Sequence, residues 1–158
     1  YMSEKEKVVP QLYETYLAVI NNAVGANLFR TMYALVNGTQ QDLMRDGDLS
    51  CAFFVSSILK MFDQIGRVHG TVASTLKDMA EHGWQKTAEL EKGAVVVWEE
   101  KVDERGEAHK HLGFYLGDAL AVSNNAKTRT PQKHHYTYGE NNGQPVRKIT
   151  DIFWKNFN

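Results

Sequence analysis

The hydrophobic pattern of this chain changes its period once, near Gly83-Trp84, and that change restricts the folds open to it. Before it, apolar residues recur at three- and four-residue spacing. Val8, Val9, Leu12, Tyr16, Leu17 and Ile20 predict a helix over 3–23, with Pro10 tolerable near its start. A second helix is predicted over 27–36, ending at Asn37-Gly38. The polar stretch 39–49 reads as a loop. Phe54, Val55, Ile58, Leu59 and Phe62 predict a buried helix over 51–65, and a last helix over 71–82 opens at the capping residue Thr71 and stops at Gly83. After the change, the β-branched run 93–99 predicts a strand, followed by strands 110–116 and 119–124 joined at Gly117-Asp118. Strands 135–138 and 146–154 are predicted on either side of a turn at 139–143. Helices first and a small antiparallel sheet second is an α+β pattern, with helices covering one face of the sheet.

A chain of 158 residues, 42% of them hydrophobic, predicts one domain with a real core, divided into a helical part over 1–40 and a core part over 46–158. The formal net charge of −1 argues against binding nucleic acid or an anionic membrane. No apolar run is long enough to span a bilayer, and no signal peptide is visible.

The chain has one cysteine, so no intrachain disulfide forms and Cys51 is a free thiol. It follows Asp46-Gly47-Asp48-Leu49-Ser50, a turn-rich segment with Asp48 and Ser50 as possible helix caps, and it opens the apolar helix. A thiol in a first turn feels the positive end of the helix dipole and its unpaired N–H groups. Both favour thiolate, and the same groups can hold an oxyanion. By position alone Cys51 reads equally as a packing residue; a partner base has to decide.

His111 supplies that base. In the strand HLGFYLG, Leu112, Phe114 and Leu116 form one face, and His111, Gly113 and Tyr115 the other. A glycine two residues from the histidine leaves room there for the Cys51 helix to sit against the sheet. If Gly117-Asp118 is a two-residue hairpin loop, Tyr115 pairs with Leu120, Leu112 with Ser123 and His111 with Asn124. Asn124 is then the residue that fixes the imidazole tautomer, with Ser123 and Asn125 as alternatives if the loop differs in length.

These segments resemble a known superfamily. DGDLSCAFFVSSILKMF is similar to the nucleophile helix of NlpC-type and CHAP-type papain-like cysteine hydrolases, EKGAVVVW to the strand that follows it, and HLGFYLGDALAVSN to the histidine hairpin. The resemblance covers roughly residues 46–125. It implies a papain-like α+β fold, with Cys51 as nucleophile, His111 as general base and a polar third residue among Ser123, Asn124 and Asn125. Tyr33 is the candidate for the family's upstream oxyanion tyrosine. The implied activity is hydrolysis of an amide bond through a thioester, most often in peptidoglycan peptides, without a cofactor. Such a substrate would make the protein secreted or part of the cell envelope.

Two other functions share these residues: an acyltransferase or deamidase on the same scaffold, and a non-catalytic interaction module. A metal site is not expected, because the six histidines lack zinc-ligand spacing and only one cysteine is present. His109, His134 and His135 are read as solvated or substrate-facing, and 127–134 as a loop near the cleft. Trp84, Trp98 and Trp154 are read as packing residues.

Overall fold

A computed structural model of the chain describes residues 6–157. Helix α1 runs Leu12–Asn22, and a 3-10 turn follows at Asn27–Phe29. Strands β1 (Tyr33–Val36) and β2 (Thr39–Asp42) form a separate hairpin. Helices α2 (Cys51–Met61) and α3 (Val72–Glu81) come next. The main strands are β3 (Gln85–Thr87), β4 (Val95–Val102), β5 (Ala108–Gly117), β6 (Leu120–Asn125) and β7 (Thr130–His135). A small hairpin of β8 (Glu140–Asn141) and β9 (Gln144–Pro145) precedes β10 (Ile149–Trp154). The six-stranded sheet has the order β3-β10-β4-β5-β6-β7, and every pairing is antiparallel. The α+β class is as expected.

The main core lies between the three helices and one face of this sheet. Tyr16, Phe54, Val55, Ile58, Leu59 and Met79 pack there against Val95, Val97, Leu112, Phe114 and Val122. Alternation along the strands sends Val96, Trp98 and Ala121 to the opposite face. The segment through Tyr136 and Tyr138 covers that second face, and the Trp98 indole N–H donates to the Tyr136 carbonyl at 2.7 Å.

Several predicted elements differ from the observed ones. Residues 6–11 stay outside α1, so Pro10 precedes the helix, and the predicted residues 3–5 lie outside the described chain. The stretch 27–36 is not a helix. Asn37 and Gly38 both have positive φ (50° and 81°), the backbone of a two-residue hairpin turn, and they pair Val36 with Thr39 and Tyr33 with Asp42. The dipeptide read as a helix stop therefore joins two strands, and the first four of the eleven residues in the supposed loop 39–49 are β2. The predicted loop 127–134 is largely β7, whose Pro131 is tolerated because this is the edge strand. Only His135 of the predicted strand 135–138 is a strand residue. By contrast, Thr71 caps α3 as expected, its side chain accepting from the Ser74 N–H.

Candidate active site

The loop that leads to Cys51 is fixed before α2 begins. The Asp42 carboxylate accepts from the backbone N–H groups of Met32, Met44 and Asp46. Asp46 in turn binds Arg30 and Arg129, both at 2.8 Å. Gly47, at φ +91°, lies so close to the β6–β7 turn that a β-carbon would stand 2.6 Å from the Arg129 carbonyl oxygen. The Asn124 amide, buried at the end of β6, donates to the Gly47 carbonyl at 2.7 Å. Leu49 and Ser50 then lead into Cys51, the first residue of α2.

Strand β5 carries His111, and its register shows where the sequence reading slipped. The hairpin loop is Asp118-Ala119, both at positive φ, with an irregularity at Leu116. Tyr115 therefore pairs with Ala121 and Gly113 with Ser123. A shift of one residue exchanges the two faces of a strand. Ser123 joins the face of Gly113 and His111, whereas Asn124 turns toward the helices and anchors Gly47. Asn125 is committed elsewhere, its side-chain oxygen accepting from the Lys127 and Thr128 N–H groups. None of Asn124, Ser123 and Asn125 hydrogen-bonds His111.

Gly113 also serves a different neighbour from the one expected. The helices pack on the Leu112–Phe114 face. On the other face, a β-carbon at Gly113 would stand 2.8 Å from the Ser123 β-carbon and 2.9 Å from the Trp98 ring. The glycine makes room for the indole beside His111, not for α2.

Cys51 and His111 nevertheless line one cleft of about 890 Å³, which opens where the β5–β6 pairing stops at Gly113–Ser123. The Leu112 backbone N–H, beyond that last pair, lies against the Cys51 sulfur. Burial pushes the Cys51 thiol up, and the Leu112 and Ala52 N–H groups and the Arg147 charge offset this only in part. Burial, with Arg147 and His134 nearby, pushes His111 down to about 3. The resting pair is thus neutral thiol and neutral imidazole, not the thiolate that a helix start alone suggests. His111 lies 5.5 Å from the Trp98 ring and 6.3 Å from the Tyr138 ring, centre to centre, and no side-chain hydrogen bond is found for it among the described residues.

Three further cleft residues were missed or misread. His134 stacks on Tyr138 at 4.0 Å. Its Nδ1–H donates to the His135 carbonyl at 2.7 Å, which leaves Nε2 to accept from the Ser123 hydroxyl at 2.8 Å. Ser123 then accepts from the Tyr138 hydroxyl at 2.9 Å. Burial raises Tyr138 to about 12, so it stays a donor. Arg147 donates from Nε to the Glu99 carbonyl at 3.0 Å and from Nη2 to the His109 carbonyl at 3.1 Å. No spacing rule marks these residues in the sequence, because the crossing segment 136–148 brings Tyr138 and Arg147 to the cleft.

Other candidates fall away from the chemistry. Tyr33 is 66% exposed on the outlying hairpin and does not line the cleft. His135 accepts at Nδ1 from the Thr137 and Gly139 N–H groups, so it shapes a turn. Asp103, Glu107 and His109 converge at the rim, but Arg105 holds Asp103 and Arg45 holds Glu107. Trp84 and Trp98 are buried, as expected of packing residues. Among the described residues, no helix is long and apolar enough to cross a membrane. The chain matches no family model and no curated protein.

Proposed function

We propose that the chain is a cysteine hydrolase of papain-like design that cleaves an amide bond through a thioester on Cys51, with peptidoglycan peptides as the first substrate class to test. The observation that carries this reading is the meeting of Cys51, at a helix start, with a neutral His111 in one cleft. A neutral imidazole in the same cleft as a thiol can accept the thiol proton as the sulfur attacks.

As the sulfur attacks the substrate carbonyl, the C–S bond forms, the thiol proton passes to His111 and the carbonyl becomes an oxyanion. N–H groups at the start of α2 face the place where that charge develops. Collapse breaks the C–N bond, and the imidazolium returns the proton to the leaving amine. Water, deprotonated by His111, then attacks the thioester and frees Cys51 as the thiol. Asn124 positions the nucleophile loop through Gly47, in place of the tautomer-fixing role that the hairpin count gave it.

Intact-mass spectrometry of the protein with muropeptides tests this. Wild type should accumulate an acyl adduct on Cys51 and release a new carboxyl product, whereas Cys51→Ala should do neither. Products carrying an added amine in place of the new carboxyl would make it a transferase. Complete inertness of wild type toward stem and bridge peptides would remove the peptidoglycan assignment.

A further inference from the structure

We propose that the cleft selects a peptide carrying a carboxylate beside the scissile amide, and that Arg147 receives that carboxylate; this rests on the cysteine hydrolase reading above. The net charge of the chain conceals the cleft's character. The whole chain is at −1, yet Lys101, Arg105, Lys110, Lys127, Lys133 and Arg147 line the cleft against only two acids, Asp48 and Asp103. Both acids are taken by Arg105, at 2.7 Å and 2.9 Å. The other five cations form no ion pair with a carboxylate among the described residues. A concave surface lined by uncompensated charge of one sign concentrates ligands of the other.

Arg147 stands apart within this set. Its guanidinium is half-buried and fixed by the Glu99 and His109 carbonyls, and the nearby Glu99 carboxylate accepts instead from the Lys148 N–H at 2.9 Å. Among the described residues, Nη1 has no hydrogen-bond partner. Two neutral acceptors hold the group without neutralising it, so it is preorganised for an anion. It lines the same cleft as Cys51, His111 and Tyr138, and its charge bears on all three. A carboxylate gains most from such a donor, because a charge-assisted bond in a partly dehydrated site exceeds a neutral one.

A peptide fits these observations better than a nucleic acid or a lipid surface. The charge rings a concavity sized for a few residues and centred on an acyl-transfer thiol, not a flat or extended basic stripe. Tyr138, the tyrosine that lines the cleft, stacks on His134 and is not presented as a stacking platform.

The test uses the full chain and two fluorogenic peptide amides that differ only in Glu or Gln next to the scissile bond. Wild type should favour the Glu peptide by about tenfold or more in kcat/KM, less so as salt rises. In Arg147→Met that ratio should fall to within about twofold of unity, and Arg147→Lys should lie between. Lys133→Gln, at the rim, should lower it by about twofold. Equal turnover of both peptides by wild type overturns the proposal, as does an Arg147→Met variant that slows both alike and keeps the ratio. Calorimetry of Cys51→Ala with the same peptides separates the two readings. Preferred binding of the Glu peptide that wild type never cleaves sustains the anion site and removes the hydrolase. Absence of any binding preference in Cys51→Ala overturns the anion site. Displacement of the Glu peptide by a short oligonucleotide or by phosphatidylglycerol vesicles, at matched charge, would overturn the peptide assignment.

Discussion

Two histidine clusters sit in this molecule, and they are built in opposite ways. In the first, the Asp78 carboxylate lies between His69 Nε2 (2.6 Å) and His82 Nδ1 (2.7 Å) and also accepts from the Gly66 and Arg67 N–H groups. Burial alone would raise Asp78, but these donors outweigh it and hold the carboxyl at about 2. In the second, His111 and His134 flank the Trp98 ring with no carboxylate bonded to either. The first cluster is closed around its carboxylate: each oxygen meets one backbone N–H and one imidazole, so it ties the 66–69 loop to α3. The second leaves one imidazole unbonded and neutral. A histidine beside a buried carboxylate is held as a clamp, and one surrounded by aromatic carbon and a cation is held neutral.

The comparison can be broken most sharply at the base. His111→Gln should lower turnover of a cleavable amide by about 10²- to 10⁴-fold while leaving the melting temperature nearly unchanged. Stopped assays and calorimetry on the same preparation check both halves. The clamp should behave in reverse. Asp78→Ala leaves the Gly66 and Arg67 N–H groups and the nearly buried His69 imidazole without their acceptor, for a loss of about 3 kcal/mol in denaturant titration, with much smaller change in rate.

Acid separates the clusters by where stability is lost. His111 is held neutral when folded, about 3 against an ordinary 6.5, so the unfolded chain binds more protons between those values. Its burial therefore lowers stability progressively as pH falls from about 6.5 toward 3, a slope that His111→Gln should remove. Asp78 runs the other way. Its stabilisation, about 2 kcal/mol, is complete above its unfolded value of 3.8 and is lost as pH falls through about 2. Denaturation followed from pH 7 to pH 1.5 should resolve the two windows. The smallest effect belongs to Ser123→Ala, which leaves Tyr138 and His134 each short of one bond and should cost about 1 kcal/mol.

What was legible in the sequence follows from how local each signal was. Thr71 and Gly83 bound α3, and the apolar run after Cys51 gave α2, because caps and period depend on a few neighbours. Asn37-Gly38 misled, since the same dipeptide ends a helix or turns a hairpin, and Tyr33–Val36 are residues suited to strands. The third catalytic candidate failed for a subtler reason. One irregularity at Leu116 moved the register by a single residue and exchanged the faces to which Ser123 and Asn124 turn. Arg147 and Tyr138 were beyond local reading altogether, because a crossing segment brings them to the cleft from the far end of the chain. The charge of the cleft was hidden in the same way, averaged out by acids that lie elsewhere.

The tie between Asn124 and Gly47 has a mechanical consequence. With Gly47 pressed on the Arg129 backbone and Asp46 bound to Arg129, the nucleophile loop and the β6–β7 turn move as one body. The sulfur is thus a passenger of the sheet's edge as much as of its own helix. Strain that peels the edge strand β7 away from β6 reaches the loop before Cys51 directly, while the helical core still stands.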